Sequence, residues 1–408
     1  MKSENQNTVP KEGGWGYVIV AATVVLINIS LYANGVRATM YYYNIFNVFS
    51  YFKYSILACF LLMRFSYRKV SFLGSIIFLV GAISRIFVQN VIQFIISVGF
   101  IENLGAGLLM SASLTALNSN FAKKIALMTC LHETAVHAFG FMISQLAHRN
   151  EEIFNSRETL IGLALLSCLC LPASAMLKPP PKQNTEPQES VIPPDDRIAS
   201  RTIFNTLSKE LTLLKSYKYW NVIIGVSLAV IADYFFFVFL PILNQAVSVN
   251  QETDFSIIYY SAPELIFKIL LTIVLAFVRL NSRLLILFTS AFVVFIRFAF
   301  APHIDAKCQH VLFECLKCFT EAPVPLVFSE EYKDNFATAY SIFLVISSVL
   351  SLIFSGLIRL IFNWSDPIKK IEYIPIAAYA TCVVIWTLEF IFFRKKPSNK
   401  GQNLNENQ

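Results

Sequence analysis

Long apolar runs recur along the whole chain, and each has the length of a helix that crosses a lipid bilayer. A hydrocarbon core about 30 Å thick demands roughly 20 mostly apolar residues per helix. Twelve such stretches fit, at 16–36, 44–63, 70–88, 92–116, 125–147, 159–177, 219–243, 256–278, 284–301, 309–329, 337–361 and 373–393. No water is present in the hydrocarbon layer to satisfy backbone groups, so only helices and closed barrels can cross it. These runs lack the alternation of lipid-facing and lumen-facing side chains that barrel strands carry. With 56% hydrophobic residues, 14% charged residues and a mean hydropathy of +0.58, the composition is not that of a soluble domain. The sequence predicts an all-α membrane protein with 12 transmembrane helices.

The positive charges give the expected orientation. Most of the 33 Lys and Arg fall on the side of the N-terminal tail, among them Arg64, Arg68, Lys69, Lys123, Lys124, Arg279, Arg283, Arg394, Lys395 and Lys396. Cytoplasmic loops carry such an excess, which puts both termini in the cytoplasm of a multi-pass protein, with the plasma membrane as the expected residence. The net charge of +7 thus reads as topology and attraction to anionic lipid. No basic stripe with interleaved aromatics marks a soluble segment, so no nucleic-acid partner is expected. The opening "MKSENQNTVPKEGGWG" lacks the form of a cleaved signal, and the first span is expected to be retained. Seven of the eight cysteines fall within spans and Cys308 at an outer edge, so no disulfide framework is expected. The Cys315 and Cys318 spacing inside an apolar helix reads as packing.

Residues 178–196, "KPPPKQNTEPQESVIPPDD", are too polar and proline-rich to pack. They separate six helices from six. The predicted organisation is a cytoplasmic tail at 1–15, a six-helix bundle at 16–177, a cytoplasmic linker at 178–218, a second bundle at 219–393 and a tail at 394–408. Within the linker, Ile203, Leu207, Leu211 and Leu214 recur at helical spacing; an amphipathic helix on the membrane surface and a solvated linker helix both fit. The halves echo each other, with "RFSYR" (Arg64, Arg68) after the second span and "RLNSR" (Arg279, Arg283) after the eighth. Two six-helix pseudo-repeats are the plan of the major facilitator fold, where substrate sits between the halves near the bilayer midplane. Positive-inside bias alone gives the same basic turns.

Glu12, Gly13, Gly14, Trp15, Gly16 and Tyr17 resemble the acidic-Gly-Gly-Trp-Gly-aromatic motif that opens the monocarboxylate transporter family of the major facilitator superfamily. "NFAKKIALMTCLHETA", residues 120–135, is similar to that family's segment entering the fifth span: Phe121, Lys123, Lys124, Ala126 and Leu127 fit. Asn120, Ile125 and Cys130 depart from it, in place of an aromatic, a basic residue and a glycine. "RFSYRKV", "KSYKYWNVIIG" and "FFFVFLP" extend the likeness over most of the chain, as a distant member. The resemblance implies alternating access, a small organic anion as substrate, proton coupling and, for some members, a single-span escort protein.

Glu264 and Lys268 interrupt the eighth span four residues apart, the spacing at which that family carries an acid and an arginine. On a helix they share a face, with the acid leading in the favourable order. Ions inside a membrane are costly and turn toward protein or water. The expected roles are substrate binding for Lys268 and proton coupling for Glu264, with a purely structural ion pair as the competing reading. An ammonium lacks the two parallel bonds of a guanidinium, so selectivity is expected to differ from the family's. Arg37, at the end of the first span, resembles a substrate-contacting basic residue of the family; a snorkelling arginine fits equally. Asp233 on the seventh span is a further substrate-binding candidate, and Glu102 on the fourth a further buried acid. Glu314, Lys317 and Glu321 share one stripe of the tenth span and are expected to neutralise one another.

"HETAVH" looks like a zinc-protease motif, but His132 and His137 are five apart rather than four, so no metal site is expected. Glu133 and His137, four apart, read as a packed polar pair or a pH-sensitive contact. No nucleophile with an adjacent base and no phosphate-binding glycine loop occurs, so neither an enzyme, a cofactor nor ATP-driven pumping is expected. Between Arg37 and Arg64 the second span is short, and the 14 glycines leave few close helix contacts. Two other functions therefore stay open: a membrane sensor or scaffold that does not transport, and a facilitator of a neutral or aromatic solute.

Overall fold

The structure, a computed structural model, describes residues 14–35, 55–149, 157–178, 215–247, 256–278, 280–300, 306–361 and 367–392. The first bundle contains α1 (Trp15–Gly35), α2 (Ser55–Arg64), α3 (Tyr67–Ile86), α4, α5 (Ile125–Arg149) and α6. Here α4 runs without interruption through Val91–Phe94, a π-helical stretch Ile95–Glu102 and Asn103–Asn120, and α6 is broken into Arg157–Ser167 and Cys170–Met176. The second bundle contains α7 (Tyr217–Val247), α8 (Ser256–Phe277), α9 (Ser282–Phe300), α10, α11 (Phe336–Ile361) and α12 (Pro367–Phe392), with α10 broken into Ala306–Glu321 and Val324–Glu331. No strand occurs among the described residues.

Among the described residues, five stretches are long and apolar enough by themselves to cross a membrane: Tyr67–Ile86, Ile92–Asn120, Ile125–Met142, Phe336–Phe354 and Tyr373–Ile391. The full extent of the predicted second span, the linker helix, Arg37, Glu12, Gly13 and Cys308 lie outside the described residues.

The break in α10 falls at Ala322 and Pro323, where proline lacks an N–H and its ring clashes with the carbonyl four residues back. In lipid the hydrophobic effect does not hold helices together, so close packing and hydrogen bonds must. Between α3 and α6, the Ser174 hydroxyl lies 2.6 Å from Ser71 Oγ and 2.7 Å from Ser75 Oγ, and Ser75 also donates to the Cys170 carbonyl at 3.0 Å. In the second bundle, Trp386 Nε1 of α12 donates to the Asn221 carbonyl at 3.1 Å, and Ser227 and Ser347 join α7 to α11 at 2.7 Å. Large apolar side chains such as Phe72, Phe277, Phe288 and Phe298 point outward, as a lipid-facing surface requires.

The bundles touch along α5 with α8 and along α2 with α11. At one end they close. Ser329 Oγ of α10 donates to Asn118 Oδ1 of α4 at 2.6 Å, and one apolar core joins Leu114, Leu117 and Phe121 to Phe328, Phe336 and Tyr340. The exposed Arg64, Lys123 and Lys124 mark this same end. Arg68 and Arg283 occupy the second position of α3 and α9, the equivalent place in each half. Arg68 is exposed, whereas Arg283 is buried against Glu389 and Glu331 and lies over the Trp386 ring.

Candidate functional site

The two sequence motifs meet at the closed end. Gly14 adopts φ +58°, a left-handed conformation that glycine enters without strain, and turns the chain into α1. Trp15 Nε1 then donates to the Met176 carbonyl at 3.0 Å, and the Lys178 amine lies 4.1 Å above its ring, tying α1 to the end of α6. A Cβ on Gly16 would come within 2.8 Å of the Phe121 ring, so the small residue in one motif admits the aromatic residue of the other. Tyr17 also packs on Phe121, with ring centroids 6.3 Å apart. Lys123 and Lys124 are exposed beside this junction.

A second group of residues converges halfway along the helices, where the bundles face each other. Glu264 and Lys268 stand near the middle of α8, and the Lys268 ammonium lies 2.9 Å from Glu264 Oε1. That contact is off the hydrogen-bond line, so charge rather than direction holds it. Lys268 also reaches Glu321 Oε2 of α10 at 3.2 Å and His137 Nδ1 of α5 at 3.0 Å. His137 Nε2 in turn lies 2.8 Å from Glu264 Oε2. Lys317 of α10 completes the group, 3.6 Å from Glu264 and 3.4 Å from Glu321. Glu133, one turn before His137 on α5, interacts electrostatically with Lys268, Glu264 and Glu321.

This geometry assigns the imidazole tautomer. An ammonium has donors and no acceptor. His137 Nδ1 must therefore accept from Lys268, and Nε2 carries the hydrogen that it donates to Glu264. The side chains of Lys268 and Glu264 are 1% and 3% exposed, but those of His137 and Glu321 are 26% and 33% exposed, so one side of the group stays open. Thr134 pins the two bundles at this level, 2.9 Å from Thr272 Oγ1 and 3.3 Å from the Lys268 carbonyl.

Asp233 is not brought into this group. It lies inside the second bundle, bonded by the Tyr379 hydroxyl, beside a cavity of about 20 Å³ that Arg297, Phe313 and Val293 also line, room for about one water. Tyr379 interacts electrostatically with Glu321, so Asp233 touches the central group at one remove. Lys317 and Glu321 do pair on α10 as expected, yet both also reach α8. Glu102 pairs with Arg85 of α3 at 3.5 Å. His132 faces α1, with Nδ1 3.2 Å from Thr23 Oγ1, while His137 faces α8. Nothing in sequence spacing ties His137 to a helix more than a hundred residues away; its unusual place in an apolar span was the available signal.

Residues 14–355 match the Major Facilitator Superfamily. Monocarboxylate transporter 2 of Meriones unguiculatus is 28% identical over 193 residues, covering 42% of this chain and 38% of that protein. Its Homo sapiens counterpart is 26% identical over 197 residues, covering 43% and 40%. The chain thus spans about two fifths of the length of these relatives. Among solved structures, the Major Facilitator Superfamily transporter FucP in the outward conformation superposes with a TM-score of 0.66 at 14% identity, covering 93% of this chain and 99% of that one. The proton:xylose symporter XylE superposes at 0.67 with 13% identity, covering 93% and 96%. The family match runs through both helical bundles and the fold likeness through nearly all of the chain, so this chain belongs to the Major Facilitator Superfamily, a family of multi-pass membrane transporters.

Proposed function

We propose that this chain is a secondary carrier of small organic anions, of the monocarboxylate type, that moves them with protons by alternating access between its two bundles. The observation that carries the reading is Lys268: a buried ammonium at the contact between bundles, held by the exchangeable partners Glu264, Glu321 and His137. An incoming carboxylate is chemically equivalent to the two glutamates and can replace either of them.

Charge balance supports the proton. Lys268 and Lys317 face Glu264, Glu321 and Glu133, so the group already holds three carboxyls against two ammonium groups. A substrate anion adds a further negative charge in a region where uncompensated charge is expensive, and one proton on a carboxyl removes it. The partial identity to monocarboxylate transporters supports the substrate class. In this reading Asp233 supports the site through Tyr379, and Arg37, which lies outside the described residues, is a further substrate-binding candidate. The orientation with both termini in the cytoplasm rests on the basic end at Arg64, Lys123 and Lys124, and residence in the plasma membrane on the family resemblance. On that orientation the described state is closed to the cytoplasm. A single-span escort protein belongs to the same reading through the family resemblance.

The test uses purified protein in lipid vesicles with a luminal pH dye and labelled pyruvate, at acidic and at neutral external pH. Uptake accompanied by luminal acidification, lost in Lys268→Ala, is the expected result. Uptake without acidification would make the chain a facilitator. Full uptake by Lys268→Ala would remove Lys268 from the mechanism, and no uptake by the unaltered protein would favour a sensor or scaffold.

A further inference from the structure

We infer that His137 is the relay through which a proton enters the central group, and that its passage is what releases Lys268 for an anion. The inference rests on the carrier reading above for its purpose, though the switch itself follows from geometry. The open side chains of the group are His137, at 26% exposure, and Glu321, at 33%, against 3% for Glu264 and 1% for Lys268, and of these two the imidazole is the one that touches both Glu264 and Lys268. Its two nitrogens face opposite kinds of partner: Nδ1 meets the Lys268 ammonium at 3.0 Å and Nε2 meets the Glu264 carboxylate at 2.8 Å.

The proton balance follows from these contacts. A proton arriving at Nδ1 occupies the lone pair that accepted from Lys268, so the hydrogen bond from the ammonium breaks. The Nε2 hydrogen, already directed at Glu264 Oε2, passes to that oxygen. The net result is one proton taken up, a neutral Glu264 and a neutral imidazole in the opposite tautomer. Nδ1–H now points at the ammonium, donor against donor, and Glu264 no longer attracts it. Two of the three contacts that hold Lys268 are lost in one step, leaving Glu321. A substrate carboxylate can then take the vacated positions.

The remaining charges around His137 fit this role. Lys317 and Glu321 face the group from α10 and Glu133 from α5 itself, so proton entry changes a balance that several helices share. Thr134, one turn before His137, bonds to Thr272 and to the Lys268 carbonyl and keeps α5 in register with α8. The relay can work only while that register holds, which links proton entry to the contact between bundles.

The experiment compares the unaltered protein with His137→Gln in vesicles, because glutamine keeps a donor and an acceptor but does not carry a proton. Labelled pyruvate is followed both in exchange at equal pH and in uptake driven by a pH gradient. His137→Gln is expected to lower gradient-driven uptake by about a hundredfold more than it lowers exchange at equal pH, the lower end of what a positioned proton-transfer group contributes. A variant whose uptake keeps the unaltered pH profile overturns the inference. A second readout does not require transport: nitrogen NMR of labelled histidine in nanodiscs, with His137→Gln identifying the signal among the five histidines. The Nδ1 signal of His137 is expected at the unprotonated position near neutral pH, to move on acidification, and to move again in Lys268→Met. If these signals move while no pyruvate is transported, the carrier reading fails and the switch stands. If the His137 signal is unchanged by acid or by Lys268→Met, the switch fails.

Discussion

Among the described residues, a buried ion pair inside the first bundle and a group of buried charges between the bundles are built in opposite ways. Arg85 and Glu102 lie 3.5 Å apart with side chains 3% and 0% exposed, and backbone closes over them: a Cβ on Gly81 would come within 2.6 Å of the Glu102 main chain. The Ser84 and Ser97 hydroxyls meet at 2.7 Å beside the pair, and Ser97 donates to the Gly81 carbonyl at 3.1 Å. Both helices belong to one bundle. The Glu264 and Lys268 group instead draws on α5, α8 and α10, crosses between bundles and leaves His137 and Glu321 partly open. Burial of ions in a membrane is therefore not enough to propose a transport site. What separates the two is access, together with partners that a substrate can replace.

The difference can be broken or sharpened by mutation. The largest effect is expected at the sealed pair. Arg85→Met strands the Glu102 carboxylate and should cost about 3–5 kcal/mol in thermal unfolding, with much of the loss recovered when Glu102→Leu is added. An Arg85→Met protein as stable as the original would show that the first bundle is as open as the interface. At the open group the effect should appear in activity instead. Lys268→Ala is expected to reduce pyruvate uptake by about a hundredfold, equivalent to about 2.7 kcal/mol, with a smaller loss of unfolding temperature than Arg85→Met, since Glu264 keeps Lys317 and His137 as partners.

A smaller change should follow from Ser329→Ala, which removes the hydrogen bond between bundles at the closed end. A loss of about 1 kcal/mol would raise opening there about fivefold, read as faster amide exchange over Leu114 and Leu117. The smallest effect belongs to Thr134→Val with Thr272→Val, about 0.6 kcal/mol in unfolding, the average for a hydrogen bond between membrane helices. If that double variant loses gradient-driven uptake while keeping its stability, the two threonines matter for register more than for cohesion.

Much of this architecture is legible in the sequence because the bilayer imposes one length and one kind of backbone on every span. The described helices α3, α4, α5, α11 and α12 fall where apolar runs predict them. The pairing of Glu264 with Lys268 is legible for an equally local reason, since residues four apart share a face on any helix. Expectations that needed a second helix fared differently. Glu133 and His137 share a face of α5, yet the partners of His137 lie on α8. Lys317 and Glu321 neutralise each other and at the same time extend the α8 pair. Asp233, also a buried carboxyl, turns to Tyr379 within its own bundle. The scarcity of glycine says little about close packing, because Gly225, Gly105 and Gly81 sit where contacts are tightest.

By itself, then, the sequence determined a helical membrane protein of two bundles, the motifs that open α1 and α5, and one acid-base pair on a single helix face. Tertiary structure decided which other charges join that pair, which are sealed elsewhere, and that an imidazole stands between the carboxylate and the ammonium. The physical reason is range. Helical periodicity relates residues within a few turns, whereas the meeting of α5, α8 and α10 depends on how each helix is rotated and shifted against its neighbours, and no local spacing records that.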